Sequence, residues 1–334
     1  MADILSEIKS KLDKTHEVTS ISFEAANIII YTKNKDFFLN NDGKIKELVQ
    51  EFKKRIELRP DPSISMEMEK AEKLIKKLLP KEAEITNLTF DPQRATVILE
   101  AKKPGSAIGQ KGENLREIRE KTLWVPIVKR TPGIRSKIIE NIRTVLYENN
   151  DFRTKFLNQT GKRIYNGWIR GKKSGWVRTS FLGGGRQVGR SCILVQTPES
   201  RVLLDCGINP SATKENTYPY FDIPEFKIQE IDAVVVSHPH LDHSAMIPLL
   251  VKYGYEGPIY CTAPTRDIMA ILALDFISVG FKEQQNPPYN TNDVKQMVKQ
   301  TICLDYEEVS DITPDIRITL YNAGHTLGSA MVHL

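Results

Sequence analysis

"SHPHLDHSA", residues 237–245, places three histidines and an aspartate within six positions: His238, His240, Asp242 and His243. The apolar run "IDAVVV" (231–236) leads into it and "MIPLLVKYGY" (246–255) follows. The first reads as a buried strand and the second as a helix, so the histidines occupy the loop at a strand end. Neutral imidazole and carboxylate are ligands for zinc or a similar divalent ion. The bland alternative is a solvated histidine loop. Four potential ligands in six positions, in a sequence with no low-complexity character, favour a metal site over it.

The surrounding chain alternates strands, helices and glycine-rich joins. "FLGGGRQVGRSCILVQTPESRVLLDCG" (181–207) reads as a glycine loop and two strands. "GPIYCTAPTRDIMAILALDFISVG" (257–280) reads as a strand and a helix, and "IRITLYNAGHTLGSAMVHL" (316–334) as two strands around a loop. This alternation predicts a layered α/β domain over 182–334.

The N-terminal part repeats one small α/β module. "VTSISFEAANIIIYTKN" (18–34) and "EITNLTFDPQRATVILEAKKPG" (84–105) are strand pairs, and a helix and a strand follow each. Phe23 aligns with Phe90, and the helix at Ile45 with that at Leu115, an offset of about 67 to 70 residues. The modules are set at 1–64 and 65–148, the second ending in the helix "IRSKIIENIRTVLYENN" (134–150). The second carries Gly109, Gln110, Lys111 and Gly112 ahead of a helix. A GxxG turn there lets a sugar-phosphate chain approach closely and meet free N–H groups and the lysine. The first copy keeps only Gly43, with Asp42 beside it to repel phosphate, and reads as structural.

Residues 149–181 read as a connector. Within it, 161–181 holds Lys162, Arg163, Arg170, Lys172, Lys173 and Arg178, no acidic residue, and Tyr165, Trp168 and Trp176 between them. Basic residues with interleaved rings suit unpaired bases. The competing reading is aromatic rings packed on the next domain beneath solvated charges.

The modules with their GxxG loop resemble KH domains of the type II arrangement. The histidine motif, with Asp205 in "VLLDCG" and His325 in "AGHTLGSA", resembles the metallo-β-lactamase superfamily. Together with "GGGRQVGRSC", the combination is similar to the archaeal cleavage and polyadenylation specificity factor-like ribonucleases of the β-CASP branch. The resemblance implies an αββα layered nuclease domain that holds two zinc ions. His238, His240 and His325 would hold the first; Asp242 and His243 would belong to the second; Asp205 would orient the histidine loop. Asp205, Asp242 and His243 are therefore the implied catalytic residues, and His333 is structural. The implied reaction is attack of a zinc-activated water on a phosphodiester of single-stranded RNA. RNA 3′-end processing or transcription termination, contact with the transcription machinery, and a homodimer are also implied.

The resemblance also implies a bridging aspartate and a β-CASP insert beyond Leu334. On this basis the domain is expected to be truncated and the chain weakly active. The alternative is an RNA-binding protein without nuclease activity. A third reading, a small-molecule metallohydrolase, leaves the KH-like repeat unexplained.

The chain has 334 residues, a formal net charge of +5 and a pI near 8.8, compatible with a polyanionic partner. No apolar run has the length of a membrane span. Cys192, Cys206, Cys261 and Cys303 form no CxxC pair and read as reduced thiols of a cytoplasmic protein.

Overall fold

The strand runs of the sequence form four sheets in a computed structural model that describes residues 4–132, 136–165, 175–212, 216–284 and 286–334. The chain divides into two compact units, Met1–Arg135 and Ser136–Leu334.

The first unit contains the repeat. Its first module runs α1 (Ile4–Ser10), β1 (Val18–Glu24), β2 (Asn27–Thr32), α2 (Lys35–Asn40), α3 (Lys44–Phe52) and β3 (Ile56–Pro60). Its second runs α4 (Met68–Leu78), β4 (Ile85–Asp91), β5 (Thr96–Ala101), α5 (Pro104–Ile108), α6 (Glu113–Thr122) and β6 (Val125–Arg130). In each sheet the second strand is central, antiparallel to the first and parallel to the third. The expected KH-like order, αββαβ, is present in each module with one added short helix, giving αββααβ. Helices α2 and α5 are too short to show a helical period and were not evident in the sequence. Ile28, Ile29 and Ile30 are all fully buried, so both faces of β2 are covered.

Charged contacts join the two modules. Glu24 accepts from Arg59 Nη1 at 2.8 Å and, from the second module, Arg94 Nε at 2.8 Å. Arg119 of α6 donates to the Phe38 carbonyl at 2.7 Å and lies 4.0 Å from that ring's centroid.

The second unit begins with α7 (Lys137–Glu148) and α8 (Asn150–Ile164). Here the structure corrects the sequence twice. Helix α7, assigned to the second module, packs Ile142, Val145 and Leu146 into the core of the second unit. Arg143 ties it to Asp267 at 2.9 Å. The connector begins as a fifteen-residue helix, α8, whose Phe156, Leu157 and Ile164 are buried. Its many polar residues and internal glycine masked that apolar stripe.

The main sheet has six strands in the order β12-β11-β10-β9-β8-β7. They are β7 (Arg178–Gly183), β8 (Cys192–Gln196), β9 (Arg201–Leu204), β10 (Ala233–Val235), β11 (Ile259–Cys261) and β12 (Thr301–Cys303). β7, β8 and β9 are antiparallel neighbours, and β9 to β12 are parallel. Helices α9 (Leu241–Ser244), α10 (Ile247–Lys252), α11 (Ala263–Lys282) and α12 (Thr291–Gln300) connect or follow the parallel strands. β13 (Val309–Asp311), β14 (Arg317–Asn322) and β15 (Ala330–His333) form a separate antiparallel sheet. This is the layered α/β domain expected. Among the described residues no helix is long and apolar enough to cross a membrane.

The salt-bridge cluster generates a stability test. Arg59 is 5% exposed and is held by Glu57 as well as Glu24, so removing Glu24 leaves a buried guanidinium with half of its carboxylate partners and takes one from Arg94. Glu24→Ala should destabilise the protein by about 3 kcal/mol, read as a lower denaturant midpoint for the first unit.

Candidate metal centre

Each site residue comes from a backbone that is fixed by its neighbours. β10 is buried throughout and ends at Val235. The loop then carries His238 and His240, and His240 is the N-cap residue of α9, which presents Asp242 and His243 in its first turn. Ser244 donates its hydroxyl to the Pro239 carbonyl at 2.8 Å and holds the loop against the helix. His325 comes from the β14–β15 loop. There Ser329 Oγ accepts from the His325 and Thr326 amides at 3.1 and 3.0 Å. Thr262 donates to the Gly328 carbonyl at 2.6 Å, and the Ala330 amide to the Ser237 carbonyl at 2.8 Å.

The ligand atoms converge as two groups. In one, His238, His240 and His325 have ligand atoms within 4.8 Å of one another; in the other, His238, Asp242 and His243 do. His325 Nε2 and His240 Nδ1 are 3.2 Å apart, and His243 Nε2 and Asp242 Oδ2 are 3.5 Å apart. Two ligands of one tetrahedral zinc, each about 2.0–2.1 Å from the ion, are separated by roughly 3.4 Å. The donors therefore fit zinc by chemistry and by spacing.

The geometry refines the allocation. His238 belongs to both groups, but its Nδ1 lies 3.0 Å from Ser237 Oγ, which leaves Nε2 as the free donor. One nitrogen serves one ion, so the donors amount to a three-histidine site beside an Asp242–His243 pair. Burial, followed by repulsion from His243, pushes the His238 pKa down to about 4 and keeps the ring neutral. For His243 burial pulls downward, but Asp205 and Asp242 outweigh it and raise its pKa.

Asp205 does not join either group. It is 7% exposed and lies behind the loop. Its carboxylate accepts from the Ser237 amide at 2.8 Å and the Ser237 hydroxyl at 2.9 Å, and meets His243 Nδ1 at 2.7 Å. That contact fixes the ring so that Nε2 faces Asp242.

Sequence reasoning missed several supporting residues. A Cβ on Gly207 would lie 1.9 Å from the Asp242 carbonyl carbon and oxygen. The strand end must therefore be glycine for the backbones to meet, and flanking amides seal the contact: Cys206 to the His243 carbonyl at 2.7 Å and Ile208 to the Leu241 carbonyl at 3.0 Å. Ser237, Thr262 and Ser329 are small hydroxyl residues whose roles appear only in three dimensions. Ser237 adjoins the histidine motif, but adjacency alone does not reveal its bond to Asp205.

The proposed RNA-binding residues are divided. Gln110 and Lys111 are exposed between Gly109 and Gly112 at the entry to α6. Lys111 and Gly112 have φ +50° and +78°. The first module repeats the turn, with φ +43° at Asn41 and +75° at Gly43; the Asp42 side chain lies outside the described residues. Arg178 is exposed but pairs with Glu225 at 2.9 Å. Lys172 and Lys173 lie outside the described residues, as do Arg170 and Trp168. Of the two readings of the connector's rings, Tyr165 follows the packed one, being buried, whereas Trp176 is 52% exposed. His333 lies in β15 beside Tyr321.

Comparison with known proteins agrees with this layout. Residues 1–65 match the KH domain of transcription termination factor FttA, 70–122 match a KH domain, and 194–334 match a metallo-beta-lactamase superfamily domain. The chain is similar to proteins named transcription termination factor FttA from Methanococcus maripaludis, at 48% identity over 99% of this chain and 52% of that protein, and from Methanothermobacter thermautotrophicus, at 47% identity over 100% and 53%. A Lokiarchaeum protein of the same name is 43% identical over 99% of this chain and 52% of its own length. The chain spans about half the length of the curated relatives it matches. A solved Cronobacter sakazakii metallo-beta-lactamase is 17% identical over 46% of this chain and 54% of its own, with a TM-score of 0.31, too distant to carry an argument. The chain combines KH-domain sequence with a metallo-β-lactamase superfamily domain, as its motifs indicate.

Two substitutions test the supports. Asp205→Asn should weaken zinc affinity by about 10- to 100-fold, since it leaves the ligands in place but loosens His243. Gly207→Ala should lower zinc content as well, because the histidine loop must shift. Zinc titration against a chelating dye reads both.

Proposed function

We propose that this chain is part of a zinc-dependent RNA endonuclease. It would hydrolyse phosphodiester bonds of single-stranded RNA during transcription termination or 3′-end processing. The observation that carries the reading is the three-histidine cluster with Asp242 and His243 beside it. The same chain carries a GxxG turn with an exposed lysine, and its relatives are named as termination factors.

His238, His240 and His325 would hold the first zinc, and Asp242 and His243 would contribute to a second. Bound zinc supplies Lewis acidity, which acidifies water and offsets charge on phosphoryl oxygens. The chain's own residues set the geometry. Asp205 and Ser237 orient His243 and the histidine loop. The low pKa of His238 keeps its nitrogen available. Gly109–Gly112 would receive the RNA backbone, with Lys111 contacting phosphate and Gln110 reaching the strand. Lys172, Lys173 and Arg178 are proposed as separate RNA contacts, with Arg178 exchanging Glu225 for a phosphate. The transcription machinery and a second copy of the chain are further proposed partners, in the cytoplasm.

The alternative is RNA binding without cutting. The ligand count bears on it, because the two donors found among the described residues would hold a second ion weakly and cleavage by this chain alone should be slow.

End-labelled single-stranded RNA, incubated with this chain with and without zinc, separates the readings. Internal cuts that require zinc and vanish in His240→Ala support the nuclease. RNA that is bound but intact under all conditions supports the alternative. Lys111→Asp should weaken RNA binding severalfold and flatten its salt dependence by about one phosphate contact. Equal affinity and salt slope in that variant would remove the GxxG turn from the account.

A further inference from the structure

The glycine loop between β7 and β8, "GGGRQVGR" (183–190), is not used by the metal centre, yet it is tied to it. The Ser191 amide donates to the Asp242 carbonyl at 2.8 Å, and the Arg190 amide to the Ile208 carbonyl at 2.8 Å. A Cβ on Gly183 would lie 2.0 Å from the Arg190 carbonyl oxygen, so the two ends of the loop close tightly. The loop is a built feature rather than slack chain.

A cavity of about 500 Å³ opens beside it, lined by Gly183, Gly184, Gly185, Arg186 and the rings of Phe181 and Tyr220. That volume lies within the usual range for a small-ligand site. Phe181 is 62% exposed and Tyr220 54%. The position of Tyr220 is set by Arg190, a residue 4% exposed whose guanidinium lies 4.2 Å from the ring centroid and donates to the Tyr220 hydroxyl at 3.0 Å. The Tyr220 amide donates to the Leu182 carbonyl at 2.8 Å. One ring is thus held rigidly, the other stands on a strand, and an exposed arginine lines the same space.

We propose that this cavity holds one unpaired nucleotide of a bound RNA strand, with its base against Phe181 or Tyr220 and its phosphate at Arg186. The assignment rests on the RNA-binding part of the function proposed above. Aromatic faces accept any base, and a guanidinium beside them pairs with the backbone, so the subsite is expected to be tolerant of sequence. A purely apolar ligand would leave Arg186 unused, and a free phosphate would leave both rings uncovered.

The test uses the full 334-residue chain carrying Lys111→Asp, which weakens the GxxG contact, and a labelled single-stranded RNA of about six nucleotides in the absence of zinc. Phe181→Ala and Arg186→Gln should each weaken binding roughly five- to tenfold. Phe181→Trp should retain it, and its added fluorescence should be quenched by RNA. Phe181 is exposed, so these changes leave the fold intact. Unchanged affinity in Phe181→Ala and Arg186→Gln overturns the proposal, and so does absence of RNA binding by the Lys111→Asp parent. If the variants lose binding and the unsubstituted chain never cuts RNA, the subsite stands and the nuclease reading falls. If zinc-dependent cutting requires His240 but neither its KM nor RNA affinity responds to Phe181→Ala, the subsite falls and the nuclease reading stands.

Discussion

The candidate metal centre depends on one buried carboxylate. Asp205 sits at the end of β9 and meets the first residue of the histidine loop and the last histidine of the motif at once. A buried carboxylate is costly unless its lone pairs are used. Here the Ser237 amide and hydroxyl and the His243 ring use them, and short charge-assisted bonds of this kind are also directional. The result is a loop whose orientation is set by the sheet and not by the metal alone. Asp205 has φ +57°, an uncommon conformation for a non-glycine residue, which the surrounding bonds hold in place.

Around that carboxylate the parallel strands deliver the remaining parts from one edge. Asp205 follows β9, the histidine loop follows β10, and Thr262, which pins the Gly328 carbonyl, follows β11. Open α/β sheets commonly place their sites beyond the carboxyl ends of parallel strands, where loops diverge and side chains can converge. His325 arrives from a different sheet, and the Ala330–Ser237 backbone bond joins that sheet to the histidine loop. The ligands are therefore collected from two layers by hydrogen bonds that involve none of the ligand nitrogens.

The candidate metal cluster was legible in the sequence because potential ligands cluster locally. Four of the five candidate ligands lie in one stretch, and their spacing drew attention to them. The KH repeat was legible because two strand pairs recur at one offset. What was hidden depended on distance in the chain or on weak periodicity. Helix α7 has an apolar face that suits either unit, and only the pocket formed by α11 and α12 decides between them. Helix α8 is rich in polar residues, so its buried stripe was read as a linker. Gly207 carries no signal of its own in the sequence, and only the Asp242 backbone against it explains the glycine. Tyr165 has the composition of a stacking ring and the burial of a core residue, a distinction that composition does not carry.

X-ray absorption at the zinc edge of the metal-loaded chain tests the central assignment most directly. The account predicts a shell of nitrogen and oxygen donors at about 2.0–2.1 Å with the outer-shell scattering of several imidazoles, which diminishes in His238→Ala. A shell dominated by sulfur at about 2.3 Å, or one indifferent to His238, would contradict it and move the metal to the cysteines.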